Sequence, residues 1–261
     1  MEVVILPTQA AIASAAADCI EALVGTTPTA VLGLATGSSP LELYNELAER
    51  FRAGRVKFAQ ARAFMLDEYV GLSASHPERY RNVIEREVGA RLDFAPGAIQ
   101  GPNGLADDLP AACRAYEQAI KDAGGVDLQI LGIGSDGHIA FNEPGSSLAS
   151  RTRIKTLTPQ TIADNARFFG GDPAQVPRHV LTQGLGTIME AHHLVLMALG
   201  RGKAEAVHHM VEGGVSAMWP ASILQFHPHA TVLLDDAAAA RLQLAPYYRH
   251  AYAGKPAWQG L

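Results

Sequence analysis

Six short apolar runs recur along the chain, each continuous rather than alternating in hydrophobicity. They lie at 2–6, 30–35, 62–66, 126–133, 193–199 and 230–234. Runs of this kind predict strands that are buried on both faces, as in a parallel sheet. Helical spacing between them predicts helices at 39–53, 77–88, 108–123, 159–169, 202–212 and 236–243. This alternation predicts an α/β fold with a doubly wound, mainly parallel sheet and helices on both faces. No linker, repeat or low-complexity segment interrupts it, so we expect a single domain over 1–261.

Composition excludes several classes of partner. The chain has 261 residues, of which 48% are hydrophobic, and a net charge of -5 with both signs scattered, which argues against nucleic acid. No run approaches the ~18 apolar residues of a membrane span. Cys19 and Cys113 lie in alanine-rich segments and are expected to be buried free thiols. We therefore expect a cytoplasmic protein with no membrane partner.

In doubly wound sheets, ligands bind beyond the carboxyl ends of the strands. The second run is followed there by Thr36, Gly37, Ser38 and Ser39 and then by a helix. Such a turn offers hydroxyls, backbone N–H groups and a helix N-terminus to an anion. The alternative is a plain turn in which Ser39 and Glu42 form a capping box.

The fifth run is followed by Gly200 and, in the first turn of the next helix, by Lys203. A helix dipole mildly disfavours a cation at that position, so Lys203 hints at an anionic ligand. The alternative is a solvated surface lysine. Together, the two turns suggest a phosphorylated small molecule.

The third run ends at the adjacent carboxylates Asp67 and Glu68. Neighbouring side chains on a strand point in opposite directions, so we expect one carboxylate to enter the cleft and the other to leave it. The one in the cleft can serve as a general base. A helix cap or a surface salt bridge is the alternative.

The segment LGIGSDGHIAFNEP, at 131–144, follows the fourth run and contains the spacing G-x-G-x-x-G. A dinucleotide site needs a helix that begins inside the glycines, but Pro144 and Gly145 would stop any helix within two turns. We therefore interpret the glycines as a tight turn. The segment also places Asp136, His138 and Glu143 within eight residues. Flanking carboxylates fix a histidine's tautomer and stabilise its cation, which predicts an acid/base unit rather than a structural histidine.

The remaining charged candidates are less specific. The other histidines do not show metal-ligand spacing, so no metal site is expected. Arg151, Arg153 and Lys155 alternate along an extended segment and share one face, either as a solvated edge strand or as a second anion site or subunit contact. Arg167, in the next helical stretch, could reach a phosphate from a lid.

Taken in order, the motifs LGLATGSSP, MLDEYVGL, HPERYRNVI, LGIGSDGHIAFNEPGSSLASRTRIKTL, VLTQGLGTIM, LGRGKAEAV and PASILQFHP resemble those of the glucosamine-6-phosphate deaminase family. The resemblance spans nearly the whole chain. It implies a Rossmann-like fold without a metal or organic cofactor. It also implies conversion of glucosamine 6-phosphate to fructose 6-phosphate and ammonia, through ring opening and an enolamine intermediate.

Carried over by position, the resemblance makes Asp67 the base that moves a proton between C2 and C1. It makes His138 the acid/base that opens the sugar ring, oriented by Asp136 and Glu143. The phosphate-binding residues implied are Thr36, Gly37, Ser38, Ser39, Arg167 and Lys203.

The resemblance also bears on regulation, because some family members are hexamers activated by N-acetylglucosamine 6-phosphate and others are monomers. The residues that match the family's effector site are Ser146, Ser147, Arg153 and Lys155. Their presence favours a regulated oligomer. Arg79 departs from the family, which usually has a small hydroxyl residue there, and this puts the local loop contacts in doubt.

Two other functions fit a similar fold. A 6-phosphogluconolactonase would hydrolyse a lactone, but it needs no base to shuttle a proton between C1 and C2 and lacks the AFNEPG segment that supplies Glu143. A non-catalytic sugar-phosphate sensor would usually carry a DNA-binding helix-turn-helix and could lose Asp67 or His138, and neither is the case here.

Overall fold

A parallel sheet of seven strands forms the centre of the computed structural model, which describes residues 1–256 and 258–261. The strands lie in the order β1-β10-β9-β6-β2-β3-β5. Their bounds are Glu2–Leu6 (β1), Val31–Leu34 (β2), Arg62–Met65 (β3), Ile99–Gln100 (β5), Leu128–Leu131 (β6), His193–Ala198 (β9) and Ala230–Asp235 (β10). All six predicted strands are confirmed, and within this central sheet only the short edge strand β5 was not predicted. That one domain spans 1–261 stays a prediction.

Among the described residues, five of the six predicted helices are present and one is absent, and the first, sixth and eighth helices along the chain were not predicted. They are α1 (Gln9–Thr26), α2 (Leu41–Arg52), α3 (Tyr80–Ile84), α4 (Leu109–Asp122), α5 (Pro159–Asn165), α6 (Leu185–Ile188), α7 (Ala204–Val211) and α8 (Ala245–Ala253). The helix predicted at 236–243 is wrong, because the Asp235 carboxylate accepts a hydrogen bond from the Ala238 N–H at 2.7 Å and folds the chain into turns. The long helix α1 was not predicted, because its alanines are buried on several sides and show little periodicity. Both cysteines are free and buried, as expected.

The order of the strands in the central sheet determines where a ligand site can lie. From β2 the chain moves outward to β3 and β5, and then returns to lay β6 on the other side of β2. The connections that follow β2 and β6 therefore part in opposite directions and leave a crevice at the carboxyl edge of the sheet. Thr36 and His138 lie in those two connections.

A second, antiparallel sheet covers this edge and was not predicted. Its strands are β4 (Asp67–Tyr69), β8 (His179–Thr182) and β7 (Arg153–Thr156), in the order β4-β8-β7. β7 is the alternating extended segment for which an edge strand was one alternative, whereas β4 and β8 are too short to show a strand pattern. Asp67 pairs in register with Thr182, which in turn pairs with Arg153, so the small sheet ties the end of β3 to a distant segment.

Among the described ranges 1–256 and 258–261, no helix is both long enough and apolar enough to cross a membrane.

A cluster of histidines lies at the opposite, amino-terminal edge of the sheet. The rings of His193 and His229 stack in parallel with 3.6 Å between centroids. His193 is buried and its Nε2 lies 2.9 Å from the Thr231 hydroxyl. Burial, together with the neighbouring His229, His227 and Lys255, lowers the pKa of His193 to about 4.

The depressed pKa of His193 predicts loss of stability in acid. The imidazole of His193 takes up a proton near pH 6.5 in the unfolded chain but only near pH 4 in the folded chain. The contribution of the neutral His193 to the free energy of unfolding is therefore fully present above pH 6.5 and is lost as the pH falls from 6.5 to 4. It amounts to at most about 3 kcal/mol. We expect His193→Gln to flatten the fall in urea-unfolding free energy between pH 6.5 and 4. His192→Gln, at a side chain 70% exposed, is the control and should keep the wild-type slope. Equal slopes in all three proteins would refute this.

Candidate active site

The crevice at the carboxyl edge opens into a cavity of about 740 Å³. The predicted residues that line it are Thr36, Gly37, Ser38, Ser39, Asp67, His138, Arg167 and Lys203. Residues distant in sequence therefore share one cavity, as the strand-end rule predicts. Asp136 and Glu143 do not line the cavity and lie behind His138.

The turn after β2 lines the cavity with the residues Thr36, Gly37, Ser38 and Ser39. The capping box predicted from Ser39 and Glu42 is wrong: α2 begins at Leu41, Pro40 is its N-cap residue, and no side chain caps it. The hydroxyls of Ser38 and Ser39 are therefore not used to cap α2. Gly37 has φ 100°, a left-handed conformation that favours glycine and shapes the turn.

Two cations face this turn. Lys203 ends a short 3-10 turn at the start of α7, and the turn is anchored where the Asp235 carboxylate accepts hydrogen bonds from the Gly200 N–H at 2.9 and 3.0 Å. Arg167 follows α5, with its guanidinium 4.7 Å from the centroid of the Phe168 ring. Burial lowers the pKa of Lys203, the Asp164 carboxylate opposes this, and the nearby Arg167 acts in the same direction as burial. Two cations this close favour a ligand of double negative charge, such as a phosphate monoester.

The adjacent carboxylates at the end of β3 point apart, as predicted. Asp67 lines the cavity, whereas Glu68 turns away and accepts hydrogen bonds from the backbone N–H groups of Tyr69, Tyr80 and Arg81 at 2.9–3.0 Å. Burial and, to a smaller extent, the Glu68 charge raise the pKa of Asp67 to about 8, against the opposing effect of His138. A carboxyl group poised near neutral pH suits a general base that must take and return a proton.

The acid/base unit predicted around His138 is assembled. His138 Nδ1 lies 2.7 Å from Asp136 Oδ1 and 3.6 Å from Glu143 Oε2. Burial alone would lower the pKa of His138, but Asp136 and Glu143 raise it to about 9. Burial would likewise raise the pKa of Asp136, but its contacts with His138 hold it well below the usual range. At neutral pH the unit therefore holds a histidine cation that can donate a proton.

The glycines of the G-x-G-x-x-G pattern serve this turn. Residues 132–147, all of them described, contain no helix, so the interpretation of a tight turn is confirmed. Gly137 has φ 81°, and its N–H donates to the Gly134 carbonyl at 3.1 Å. A Cβ on Gly134 would lie 2.3 Å from the His138 ring, so only glycine leaves room for the imidazole.

Several polar contacts of the site were missed from the sequence. Glu143 Oε1 accepts a hydrogen bond from the Thr161 hydroxyl at 2.7 Å, which links the acid/base unit to α5. The hydroxyl of Tyr69 receives hydrogen bonds from Tyr80 at 3.2 Å and from Asn165 at 3.0 Å. Threonine, tyrosine and asparagine carry no spacing signal, so sequence patterns could not single them out.

The acid/base unit is also the group of side chains best placed to hold a metal ion. Asp136, His138 and Glu143 each offer one ligand atom, and these atoms lie within 4.8 Å of one another. A metal needs a deprotonated nitrogen, whereas the two carboxylates favour the protonated imidazole. The donor set therefore suits proton transfer better than metal binding.

The residues predicted for a second anion site lie outside the cavity. Arg153 and Lys155 are half-buried on the same face of β7, and burial lowers the pKa of both. Ser146 is buried, and Ser147 is exposed. Arg151 is instead engaged in ion pairs with Glu117 and Glu190 at 2.5 and 2.6 Å.

Arg79 has a structural role in the loop before α3. Its Nε lies 3.6 Å from Glu68 Oε2, beside the backbone groups that Glu68 already binds. The departure from the family pattern therefore adds a cation outside the cavity.

The family model described as glucosamine-6-phosphate isomerases/6-phosphogluconolactonase matches residues 7–233, from the end of β1 into β10. The chain belongs to this family. Within the family, glucosamine-6-phosphate deaminases resemble it over its whole length. The protein of Mycolicibacterium smegmatis is 74% identical and that of Beutenbergia cavernae 72% identical, each over 261 residues and 100% of both chains.

Solved structures agree with this family membership. A monomeric glucosamine-6-phosphate deaminase superposes with a TM-score of 0.90 at 40% identity, covering 92% of this chain and 100% of that one. The 6-phosphogluconolactonase of Trypanosoma cruzi has a TM-score of 0.75 at 20% identity, with 93% and 97% covered. This second likeness concerns the fold alone. The Rossmann-like α/β fold is confirmed.

Proposed function

We propose that this chain is an enzyme that isomerises and deaminates glucosamine 6-phosphate, releasing fructose 6-phosphate and ammonia. The observation that carries the proposal is that one cavity holds a poised carboxyl group, a histidine cation and a two-cation anion site. The deaminases of 72–74% identity support it over the full length of the chain.

Ring opening falls to the acid/base unit. A cyclic amino sugar opens when the C1 hydroxyl loses a proton and the ring oxygen gains one. The His138 cation gives a proton to the ring oxygen, and the neutral imidazole so formed takes the proton of the C1 hydroxyl, while Asp136 and Glu143 stabilise the cation. The anchored phosphate, held by the turn at Thr36–Ser39 with Arg167 and Lys203, keeps the sugar in register with this unit.

Isomerisation falls to Asp67. In the open-chain sugar it removes the proton from C2, which gives an enolamine, and returns a proton to C1. The resulting C2 imine is hydrolysed by water to the ketone and ammonia. Burial raises the pKa of Asp67 and so makes its carboxylate a stronger base. The histidine cation at His138 opposes burial and favours the ionised form, which is the form that accepts the proton.

Lactone hydrolysis is the weaker alternative. It needs no base that shuttles a proton between neighbouring carbons, yet Asp67 is buried and poised as one. Two related lactonase structures are 20% and 22% identical to this chain and support only a common fold.

Regulation and assembly extend the proposal. The half-buried Arg153 and Lys155, with Ser146 and Ser147 nearby in sequence, support a second site for the phosphate of N-acetylglucosamine 6-phosphate as an activator. We propose a homo-oligomer, a hexamer, in the cytoplasm. The structural relative described as monomeric is the counter-example that makes a direct measurement necessary.

We expect the purified protein to release ammonia and fructose 6-phosphate from glucosamine 6-phosphate without added metal or nucleotide. The assay runs with and without a chelator, and with and without N-acetylglucosamine 6-phosphate, beside sedimentation analysis. Hydrolysis of 6-phosphogluconolactone without ammonia release would overturn the proposed reaction. Loss of activity on chelation would overturn the metal-free acid/base unit. A monomer with unchanged kinetics in the presence of the acetylated sugar would overturn the regulatory proposal alone.

A further inference from the structure

Asn142 lies at the centre of the turn that carries the acid/base unit. It is completely buried, between Phe141 and Glu143. Its N–H donates to the Ile139 carbonyl at 3.1 Å and closes the turn. Ala140 inside the turn has φ 50°, a left-handed conformation that costs a non-glycine residue about 1 kcal/mol or more. Such a turn persists only where its surroundings hold it.

The side-chain amide of Asn142 provides that hold. Its Nδ2 donates to the carbonyls of Ile139 at 3.0 Å and Gln183 at 2.9 Å. Its Oδ1 accepts from the Arg153 guanidinium at 2.9 Å. Both donors and the acceptor are therefore engaged, which no other side chain of this size can reproduce.

These contacts join three segments. Ile139 follows His138 in the turn, Gln183 follows β8, and Arg153 begins β7. A nearby hydrogen bond also joins the turn to β8, because the Phe141 N–H donates to the Thr182 hydroxyl at 3.1 Å. The turn is thus fastened to the small antiparallel sheet at a point between His138 and Glu143.

We propose that Asn142 is a positioning residue for ring opening, whose amide holds His138 and Glu143 at the two ends of one turn in the geometry that proton transfer requires. This inference rests on the proposed function. Asn142 does not line the cavity and touches no reacting atom. It acts by fixing the 3.6 Å separation of Glu143 Oε2 and His138 Nδ1.

The charged groups that face His138 determine its pKa, and the pKa in turn determines the alkaline limb of the pH profile of activity. They are Asp136 and Glu143, which raise its pKa, and Asp67 across the cavity. If Asn142 is removed, the turn relaxes and Glu143 moves away from the imidazole. The pKa of His138 then falls, and the alkaline limb of the pH profile moves to lower pH. A residue that only supports the fold would lower activity without moving this limb.

The test is the pH profile of ammonia release by Asn142→Ala. We expect kcat to fall about 10- to 100-fold and the alkaline limb to move down by about one pH unit. KM should change less than about threefold, because the phosphate-binding residues are untouched. Asn45→Asp, at an exposed position on α2, is the control and should match the wild type. An unshifted limb, or a change confined to KM, would overturn the proposal.

A second variant covers the case in which Asn142→Ala does not fold. Arg153→Met removes the partner of the Asn142 carbonyl oxygen, together with a longer hydrogen bond of 3.3 Å to the Arg151 carbonyl, at a half-buried position. Without effector, we expect the same direction of shift at a smaller size, and a wild-type profile would overturn the proposal. The wild type is assayed first: if it releases no ammonia, the proposed function has failed rather than this inference.

Discussion

Asp67→Asn is expected to lower kcat for ammonia release by about 10²- to 10⁴-fold, the usual contribution of a positioned general base. The amide keeps the size of the carboxyl group but cannot accept a proton from C2. Binding of the sugar phosphate should persist, because the hydroxyl turn and the two cations are unchanged. Exchange of the C2 proton with solvent deuterium, followed by NMR, measures the step directly. Retained exchange would show that the base lies elsewhere.

The same variant should be more stable than the wild type. The pKa of Asp67 is raised from 3.8 to about 8, so the folded chain binds a proton that the unfolded chain has lost. Wild-type stability therefore falls as the pH rises from about 4 to 8, and the neutral amide removes that loss. A higher Tm for Asp67→Asn than for the wild type at pH 8 would show that the variant is folded and that its lower kcat comes from loss of the general base. Asp122→Asn, at an exposed position, serves as the control for both measurements.

His138→Gln is expected to have an effect of similar size, with kcat reduced by about 10²- to 10⁴-fold. Glutamine keeps a polar side chain but carries no proton that it can give to the ring oxygen at neutral pH. The cyclic sugar then opens only spontaneously, so turnover follows the supply of the open-chain form. Measuring ammonia release against substrate concentration tests this, and His250→Gln, on the exposed surface of α8, is the control.

Asp136→Asn tests the same acid/base unit through the pH dependence of kcat/KM. Asp136 raises the pKa of His138, so its neutral counterpart lets that pKa fall from about 9 toward the ordinary value. The alkaline limb of kcat/KM should move to lower pH. A wild-type alkaline limb in Asp136→Asn, or near-wild-type kcat in His138→Gln, would contradict the role of the acid/base unit in ring opening.

The sequence by itself determined the central sheet and the places where chemistry could occur. Continuous apolar runs predicted six strands of the parallel sheet, because strands buried on both faces cannot alternate with polar residues. Once those strands were in place, the residues that follow them had to meet at one edge. This is why Asp67, His138, Lys203 and the turn at Thr36 could be assigned to one cavity before any contact was known.

Only the tertiary structure decided how those residues are held and tuned. The strands β4 and β8 are too short to show a periodic pattern, and the alternation of β7 does not identify the strand with which it pairs. Asn142 reaches Gln183 across 41 residues, and Glu143 reaches Thr161 across 18, through single hydrogen bonds that leave no periodicity in the sequence. Burial, which raises the pKa of Asp67 and would by itself lower that of His138, likewise depends on what packs around each group. Local patterns reflect the period of a strand or helix, whereas these contacts depend on the final packing of distant segments.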